Sequence, residues 1–296
     1  MGKIIDIYRS LTPEFIRDFM YYIRSNSLRI KLDKSKAKKE VLEFIDKLDT
    51  KSEEILYVKN YLLKNKIKNI PLDIDSNFEV SKQDGYYYVI FFGKKLFFPK
   101  GTTRKSVIRY CKGIIEEQNP LSPHSYLSEN FDVENNSIIT DIGAAEGNFA
   151  LSVIDKVKKA YIFESDKKWI DALNLTFEPW KDKVEIINNL VGDFTKGDMI
   201  ALGDFFKNID KPNFLKIDVE GYEEKVISGS ESFINNDNLK IAICTYHKYN
   251  DESKFEKYFK QLGFKTQLSN GYMIMYDNKE DFKKAYLRRG VLRASK

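Results

Sequence analysis

The stretch from Ser137 to Leu151, SIITDIGAAEGNFAL, constrains the fold more than any other part of the chain. The β-branched run Ile138-Ile139-Thr140 leads into Asp141, a glycine-bounded turn follows, and an apolar helical pattern begins at Phe149. This order predicts a buried strand, a tight turn and a helix start. Gly143 and Gly147 stand four apart, and without Cβ atoms they let the backbone pass close to a ligand. The first turn of the helix then offers unpaired N–H groups.

Two kinds of ligand use such a turn. A dinucleotide places its pyrophosphate on the helix N-terminus, and its fingerprint is G-x-G-x-x-G. Here the spacing is G-x-x-x-G, Asp141 precedes the first glycine by two, and Glu146 lies inside the turn. Two carboxylates repel a pyrophosphate and suit a cationic ligand, of which the sulfonium S-adenosylmethionine is one. An ordinary βα turn is the plain alternative. A second apolar run, Ala160-Tyr161-Ile162-Phe163, ends in Glu164 about twenty residues on, where an acidic group is placed to accept ribose hydroxyls.

From Ser137 onward, strand and helix patterns alternate, which implies a parallel sheet with helices on both faces. The predicted strands are 137–142, 160–164, 184–190, 214–219, 239–246 and 272–276. Gln267-Leu268 and Tyr272–Tyr276 flank Ser269-Asn270-Gly271, so an antiparallel hairpin is expected to close the sheet. In such sheets the ligand sits beyond the carboxyl ends of the strands. That rule gathers Asp141, Gly143, Ala144, Glu146, Gly147, Asn148 and Phe149 from the first strand end, and Glu164, Ser165 and Asp166 from the second. The third offers Asn189, Leu190 and Val191, the fourth Asp218, Glu220 and Gly221, and the fifth Thr245, Tyr246 and His247.

The four blocks DIGAAEGNFAL, AYIFESD, FLKIDVEGYEEKVISGS and IAICTYH resemble, in order and spacing, the FkbM family of S-adenosylmethionine-dependent methyltransferases. The resemblance covers roughly residues 120–296. It implies a class I α/β fold: a Rossmann-like, mostly parallel sheet with a closing antiparallel hairpin, preceded by an α+β accessory region. It further implies O-methylation of a sugar hydroxyl in glycan, polysaccharide or secondary-metabolite assembly. The related subfamily carries a Pro-His-x-Tyr segment that matches His124 and Tyr126, and its pattern extends to the C-terminal arginines. The resemblance therefore gives acceptor contacts to His124, Tyr126, Arg288, Arg289 and Arg293. Arginines around a glycine can clamp a phosphate or carboxylate; a frayed basic tail is the alternative.

Methyl transfer to a hydroxyl needs near-attack positioning and a base, or a metal that lowers the hydroxyl pKa. The chain has two histidines. His247 ends the fifth strand beside the expected acceptor pocket, with Asp218 to orient it and Tyr246 and Glu220 adjacent. The other chemistry uses Asp218, Glu220 and Asp251 to hold Mg²⁺, although no metal spacing is diagnostic. Glu223 reads as an acidic first turn of a helix.

Residues 1–118 are expected to form the accessory region and 119–296 the catalytic domain. The accessory pattern starts with helices (Thr12-Pro13 as a helix start; Phe15, Phe19, Tyr22; Thr50-Lys51 opening another), breaks at Ile70-Pro71, and continues with strands at 78–80, 86–92 and 95–98. Covering the catalytic domain, shaping the acceptor pocket and self-association are the roles open to it. The run Lys31–Glu40 reads as a solvated helix face rather than a basic docking patch. Lysines and arginines number 49 against 44 acidic residues, a net charge of +5. That mixed surface admits a small anionic acceptor or a glycan and argues against nucleic acid. No apolar run approaches the roughly 18 residues of a membrane span. The N-terminus has no signal-peptide core, and Asp6 stands where a myristoylation motif wants Ser or Thr, so a cytoplasmic protein with two free, buried thiols is expected. A nicotinamide-dependent oxidoreductase, an RNA methyltransferase and a non-catalytic scaffold are the competing readings.

Overall fold

The computed structural model describes residues 28–48, 52–64, 78–275 and 287–296. The helix start at Thr12-Pro13, the apolar series Phe15 to Tyr22, Thr50-Lys51 and the Ile70-Pro71 break lie outside the described residues.

Two helices come first, α1 (Leu28–Asp46) and α2 (Glu53–Lys64). Val41, Ile45, Ile55, Val58 and Leu62 form their apolar seam. Lys36 and Lys39 face outward and pair at i,i+4 with Glu40 and Glu43. From Ser35 to Glu40, where side chains are described, the charged run is thus a solvated helix face.

A three-stranded meander follows: β1 (Ser81–Gln83), β2 (Tyr86–Phe91) and β3 (Lys94–Phe97). Its turns are Asp84-Gly85 and Phe92-Gly93, all four residues at positive φ, which matches the twist of tight hairpins. Helix α3 (Arg104–Gln118) is next; Thr103 caps it by accepting from the Ser106 N–H. The meander docks through the Phe97 N–H, which donates to Thr176 Oγ1 at 3.0 Å, and through Lys94 on Asp155 at 2.7 Å. Val89, Leu96, Phe98 and Val107 share one buried cluster with Ile139, Phe149 and Leu173. The accessory strands therefore have no core separate from that of the large sheet.

The large sheet is built from β4 (Ser137–Ile142), β5 (Val157–Phe163), β6 (Val184–Ile187), β9 (Phe214–Ile217), β10 (Lys240–Cys244), β11 (Lys265–Leu268) and β14 (Val291–Ser295). Their spatial order is β11-β14-β10-β9-β4-β5-β6. β6, β5, β4, β9 and β10 run parallel, and β14 lies antiparallel between β10 and β11. Helices α4 (Asn148–Val153), α5 (Lys167–Phe177), α6 (Leu202–Phe205), α7 (Glu223–Ser228) and α8 (Asp251–Gln261) connect these strands.

The expected α/β architecture is present, with two corrections. The antiparallel strand is Val291–Ser295, not 272–276; Met273–Ile274 (β12) instead pairs with Leu287–Arg288 (β13) in a separate ribbon. Met273–Ile274 follows the glycine turn but is only two residues long, whereas VLRAS is buried at four consecutive positions and fits a central strand. Second, the 184–190 run breaks after Ile187, and Leu190–Gly192 (β7) pairs with Met199–Ala201 (β8). Both turn glycines are also required by the protein's own packing. A Cβ at Gly143 would lie 1.9 Å from the Asp218 carbonyl oxygen, and one at Gly147 2.8 Å from Leu173 and Phe177. Their φ values are +73° and +80°.

Gly143→Ala should accordingly destabilise the chain by about 3 kcal/mol or more, combining left-handed strain with overlap on backbone. Urea denaturation checks this; an unchanged midpoint would show that β4 and β9 do not meet so closely.

Candidate active site

A cavity of about 340 Å³ opens where the carboxyl ends of β4 and β9 meet. Its floor is the glycine loop with Phe149 and Asn148; one wall is α3, through Tyr110, Gly113 and Glu117. His124 and Tyr126 come from the turn-rich segment between α3 and β4, and Tyr246 follows β10. Lys216, Asp218 and Glu220 close the far side.

The glycine loop is held by its acidic neighbour. Ala145, at φ +48°, donates its N–H to Glu164 Oε2 at 2.7 Å, and Glu164 Oε1 accepts from the Asp166 N–H at 2.7 Å. Asp166 caps α5 by accepting from Lys168, and Ser165 is exposed beside it. Asn188 fixes the neighbouring strand end by donating to the carbonyls of Glu164 and Ser165. Asn189 and Leu190 are half-buried beside it. Glu164, Ser165, Asp166, Asn189 and Leu190 flank the cavity and do not form its inner wall.

Asp141 takes a different place from the one its position in the sequence implies. It is fully buried, accepts from the Ala150 N–H at 3.3 Å, and lies 3.1 Å from Lys216 Nζ. Its charge is spent inside the protein. Lys216 also donates to the Gly143 carbonyl at 2.7 Å and sits over the Tyr126 ring at 5.3 Å. Burial alone lowers the lysine pKa, but Asp141 and Asp218 outweigh it and keep the ammonium protonated.

Asp218 is the hub. Its Oδ2 accepts from the Tyr126 hydroxyl at 2.7 Å and lies 3.5 Å from His124 Nε2; its Oδ1 lies 3.6 Å from His247 Nε2. Burial would raise its pKa, yet the His124 hydrogen bond and the Lys216 charge hold it well below the usual carboxylate range. His124 Nε2 also meets the Tyr246 hydroxyl at 3.2 Å. Burial and the Asp218 charge push both tyrosine pKa values up, so Tyr126 and Tyr246 remain phenols. The Cys244 thiol is pushed up by burial too and stays neutral. His247 Nδ1 lies 2.8 Å from Glu223 Oε1. Glu223, read from sequence as a helix-start residue, is buried and also takes the Val219 N–H at 3.0 Å.

The three C-terminal arginines lie outside the cavity wall. Arg288 donates to the Tyr246 carbonyl at 2.7 Å, and Arg293 donates to the carbonyls of Ser125, Tyr126 and Leu127. Arg289 stacks on Tyr272 and donates to the Gly271 carbonyl. Asp251 accepts from the Lys248 N–H at the start of α8. Sequence reasoning passed over Lys216, Glu117 and Tyr110. Lys216 left a signal, a lone cation inside the apolar strand FLKI; the α3 residues left none, because nothing local says that this helix covers the cleft.

The model of the FkbM methyltransferase domain matches residues 194–272. The FkbM resemblance is borne out. The matched FkbM segment carries Asp218, Glu220, Tyr246 and His247, while the glycine loop and Glu164 precede it. Among solved structures, the methyltransferase FkbM of Methylobacillus flagellatus KT aligns with TM-score 0.47 and 18% identity. That alignment covers 64% of this chain and 52% of the other, so about half of that protein's length is matched. The precorrin-6y C5,15-methyltransferase of Geobacter metallireducens GS-15 aligns at TM-score 0.40 and 9% identity, over 55% of this chain and 83% of its own. An rRNA methylase of Streptococcus thermophilus aligns at 0.38 and 14%, over 55% and 89%. No curated protein sequence matches the chain. The sheet order, with an antiparallel strand inserted next to the last, is the class I methyltransferase arrangement. Among the described residues no helix is long and apolar enough to cross a membrane.

Glu146 gives this site a pH signature. It is buried, accepts from Asn148 Nδ2 at 2.6 Å, and burial pushes its pKa up to about 7. A carboxyl raised on folding stabilises the protein at low pH, and that contribution is lost as pH rises through about 7. Glu146→Gln should therefore match the wild type near pH 4, below the ordinary carboxyl value of 4.5, and exceed it at pH 8, by up to ~3 kcal/mol. Denaturation at the two pH values checks the sign; an equal difference at both would show an unperturbed Glu146.

Proposed function

We propose that the chain is an S-adenosylmethionine-dependent O-methyltransferase whose acceptor is a carbohydrate hydroxyl. The observation that carries this reading is the charge of the cavity. Glu117, Glu146, Asp218 and Glu220 line it against Arg109 and the Asp141-paired Lys216, so carboxyl groups outnumber cations there even with Glu146 half protonated near pH 7. Such a cleft suits a sulfonium and an uncharged polyol and disfavours a dinucleotide pyrophosphate. The residues fit the cofactor: the glycine loop and Asn148 form its seat, and Glu164 at the neighbouring strand end keeps a lone pair on each oxygen for ribose hydroxyls. Bound there, S-adenosylmethionine supplies a methyl group that forms a bond to the acceptor oxygen as its bond to sulfur breaks, leaving a neutral thioether.

The protein moves the acceptor proton. His247, the base favoured on sequence grounds, does not line the cavity, whereas His124 and Tyr246 do. In this proposal the reactive form carries the His124 proton on Nδ1; the acceptor hydroxyl passes its proton to Tyr246 Oη while the Tyr246 proton moves to His124 Nε2, and the Nε2–H bond to Asp218 forms as that proton arrives. Asp218, 3.5 Å from that nitrogen, stabilises the imidazolium. Tyr126 holds Asp218 from the other side.

Radiolabelled methyl transfer to a panel of sugars and sugar nucleotides tests the reading. His124→Gln and Tyr246→Phe should each lower kcat roughly 10²-fold or more. The double variant should be little worse than either single one, because the pair acts as one relay. S-adenosylhomocysteine affinity should stay within threefold or so. Label appearing on RNA and not on sugars would sink the acceptor assignment, and additive losses would sink the relay.

A further inference from the structure

His247 is left without a task in that relay, yet it is 5% exposed and its Nε2 has no hydrogen-bond partner. That atom faces two carboxylates, lying 3.6 Å from Asp218 Oδ1 and 3.6 Å from Glu220 Oε2. We propose that Asp218 Oδ1, Glu220 Oε2 and His247 Nε2 form a divalent-cation site at the mouth of the cavity, with Glu223 as its outer support.

Three features argue for an ion there. The first is spacing. Ligand atoms about 2.1 Å from a tetrahedral ion lie roughly 3.4 Å apart, so the two separations from His247 Nε2 need to close by a few tenths of an ångström, and rotation of the Glu220 side chain must bring its carboxylate to Asp218. The Glu220 carboxylate, 91% exposed, is free to make that adjustment. The second is the arrangement behind the imidazole. A metal-bound histidine gives its other ring N–H to a carboxylate, which fixes the ring and leaves the ligating lone pair forward. Glu223 Oε1 lies 2.8 Å from Nδ1, within reach of that role once the ring turns toward an ion, and is itself pinned by the Val219 N–H. The third is backbone strain. Glu220 adopts φ +55°, a left-handed conformation uncommon outside glycine, and it does so next to Gly221, which takes φ +97°. The turn is bent to bring the Glu220 side chain over the end of β9, where Asp218 and His247 converge.

The donor set also selects among ions. One imidazole with two carboxylates favours Zn²⁺ or Mn²⁺ over Mg²⁺, which prefers oxygen alone. Three protein ligands leave coordination positions open to the cavity. An acceptor hydroxyl entering beside Tyr246 would take one of them, and the ion would lower its pKa. Asp218 then serves both halves of the site, Oδ1 toward the ion and Oδ2 toward Tyr126 and His124. The Mg²⁺ alternative drawn from Asp218, Glu220 and Asp251 is thereby changed in two ways: His247 replaces Asp251, and the ion is of a softer class. What the ion does rests on the methyl-transfer reading; whether it binds does not.

The test uses the full chain after chelator treatment. Mn²⁺ is titrated in and the free ion is followed by electron paramagnetic resonance, with Zn²⁺ as competitor. S-adenosylhomocysteine binding is measured in parallel. One Mn²⁺ per chain is expected, displaced by Zn²⁺. His247→Ala and Glu220→Gln should each weaken Mn²⁺ at least tenfold, and Glu223→Gln should weaken it 10- to 100-fold or so. Circular dichroism confirms that each variant is folded; Glu220→Gln, at an exposed side chain, remains informative if His247→Ala is not. No stoichiometric binding of either ion up to about 1 mM, or binding unchanged in both ligand variants, overturns the proposal. Loss of S-adenosylhomocysteine binding with Mn²⁺ binding intact would instead count against the methyltransferase reading.

Discussion

The buried ammonium of Lys216 ties the site together. It stands inside β9, a strand buried at all four positions, and reaches Asp141 on the next strand and the carbonyl of Gly143 on the loop, against the ring of Tyr126. Losing either member of the Lys216–Asp141 pair would leave an unpaired charge in a low-dielectric interior, which typically costs about 3–5 kcal/mol. The pair therefore fixes the register of β4 against β9 at the point where the glycine loop departs. Its field also reaches Asp218 and helps to keep that carboxylate ionised. The shape of the cavity and the charge state of its hub thus share one cause.

The C-terminal strand supplies the second constraint. β14 fills the sheet between β10 and β11, and the turn that precedes it clasps the segment carrying His124 and Tyr126. A Cβ at Gly290 would lie 1.9 Å from the Pro123 carbonyl oxygen. Ser269 Oγ donates to that same carbonyl at 2.6 Å, and Arg293 takes the next carbonyls along the segment. Arginines that look like an anion clamp in the sequence are struts, and they meet backbone carbonyls because a segment made of turns leaves those groups unpaired.

The strand edges that matter were legible because they are buried on both faces and end in polar residues: Ser137–Ile142 came out at its predicted limits, and Phe214–Ile217 within two residues. The antiparallel strand was misplaced because the turn Ser269-Asn270-Gly271 is a strong local signal, while the partner of β11 lies over twenty residues further on. Local pattern does not carry sequence distance. The same limit explains Glu223. A carboxylate early in a helix is ordinary on dipole grounds, and only the fold brings it to His247. Asp141 shows the reverse case. Its place before the glycine turn was read correctly, but the cation that meets it is Lys216, seventy-five positions later in the chain. The covering helix α3 was invisible as a site element for the same reason.

Taken together, the glycine loop, the acidic cavity and the Asp218 hub amount to one claim, that this cleft holds S-adenosylmethionine. Calorimetric titration of the full chain with S-adenosylhomocysteine measures it most directly. One site with micromolar affinity, weakened at least tenfold by Glu164→Ala, is the expected result. No binding of S-adenosylhomocysteine together with saturable binding of NADH would contradict the account at its centre.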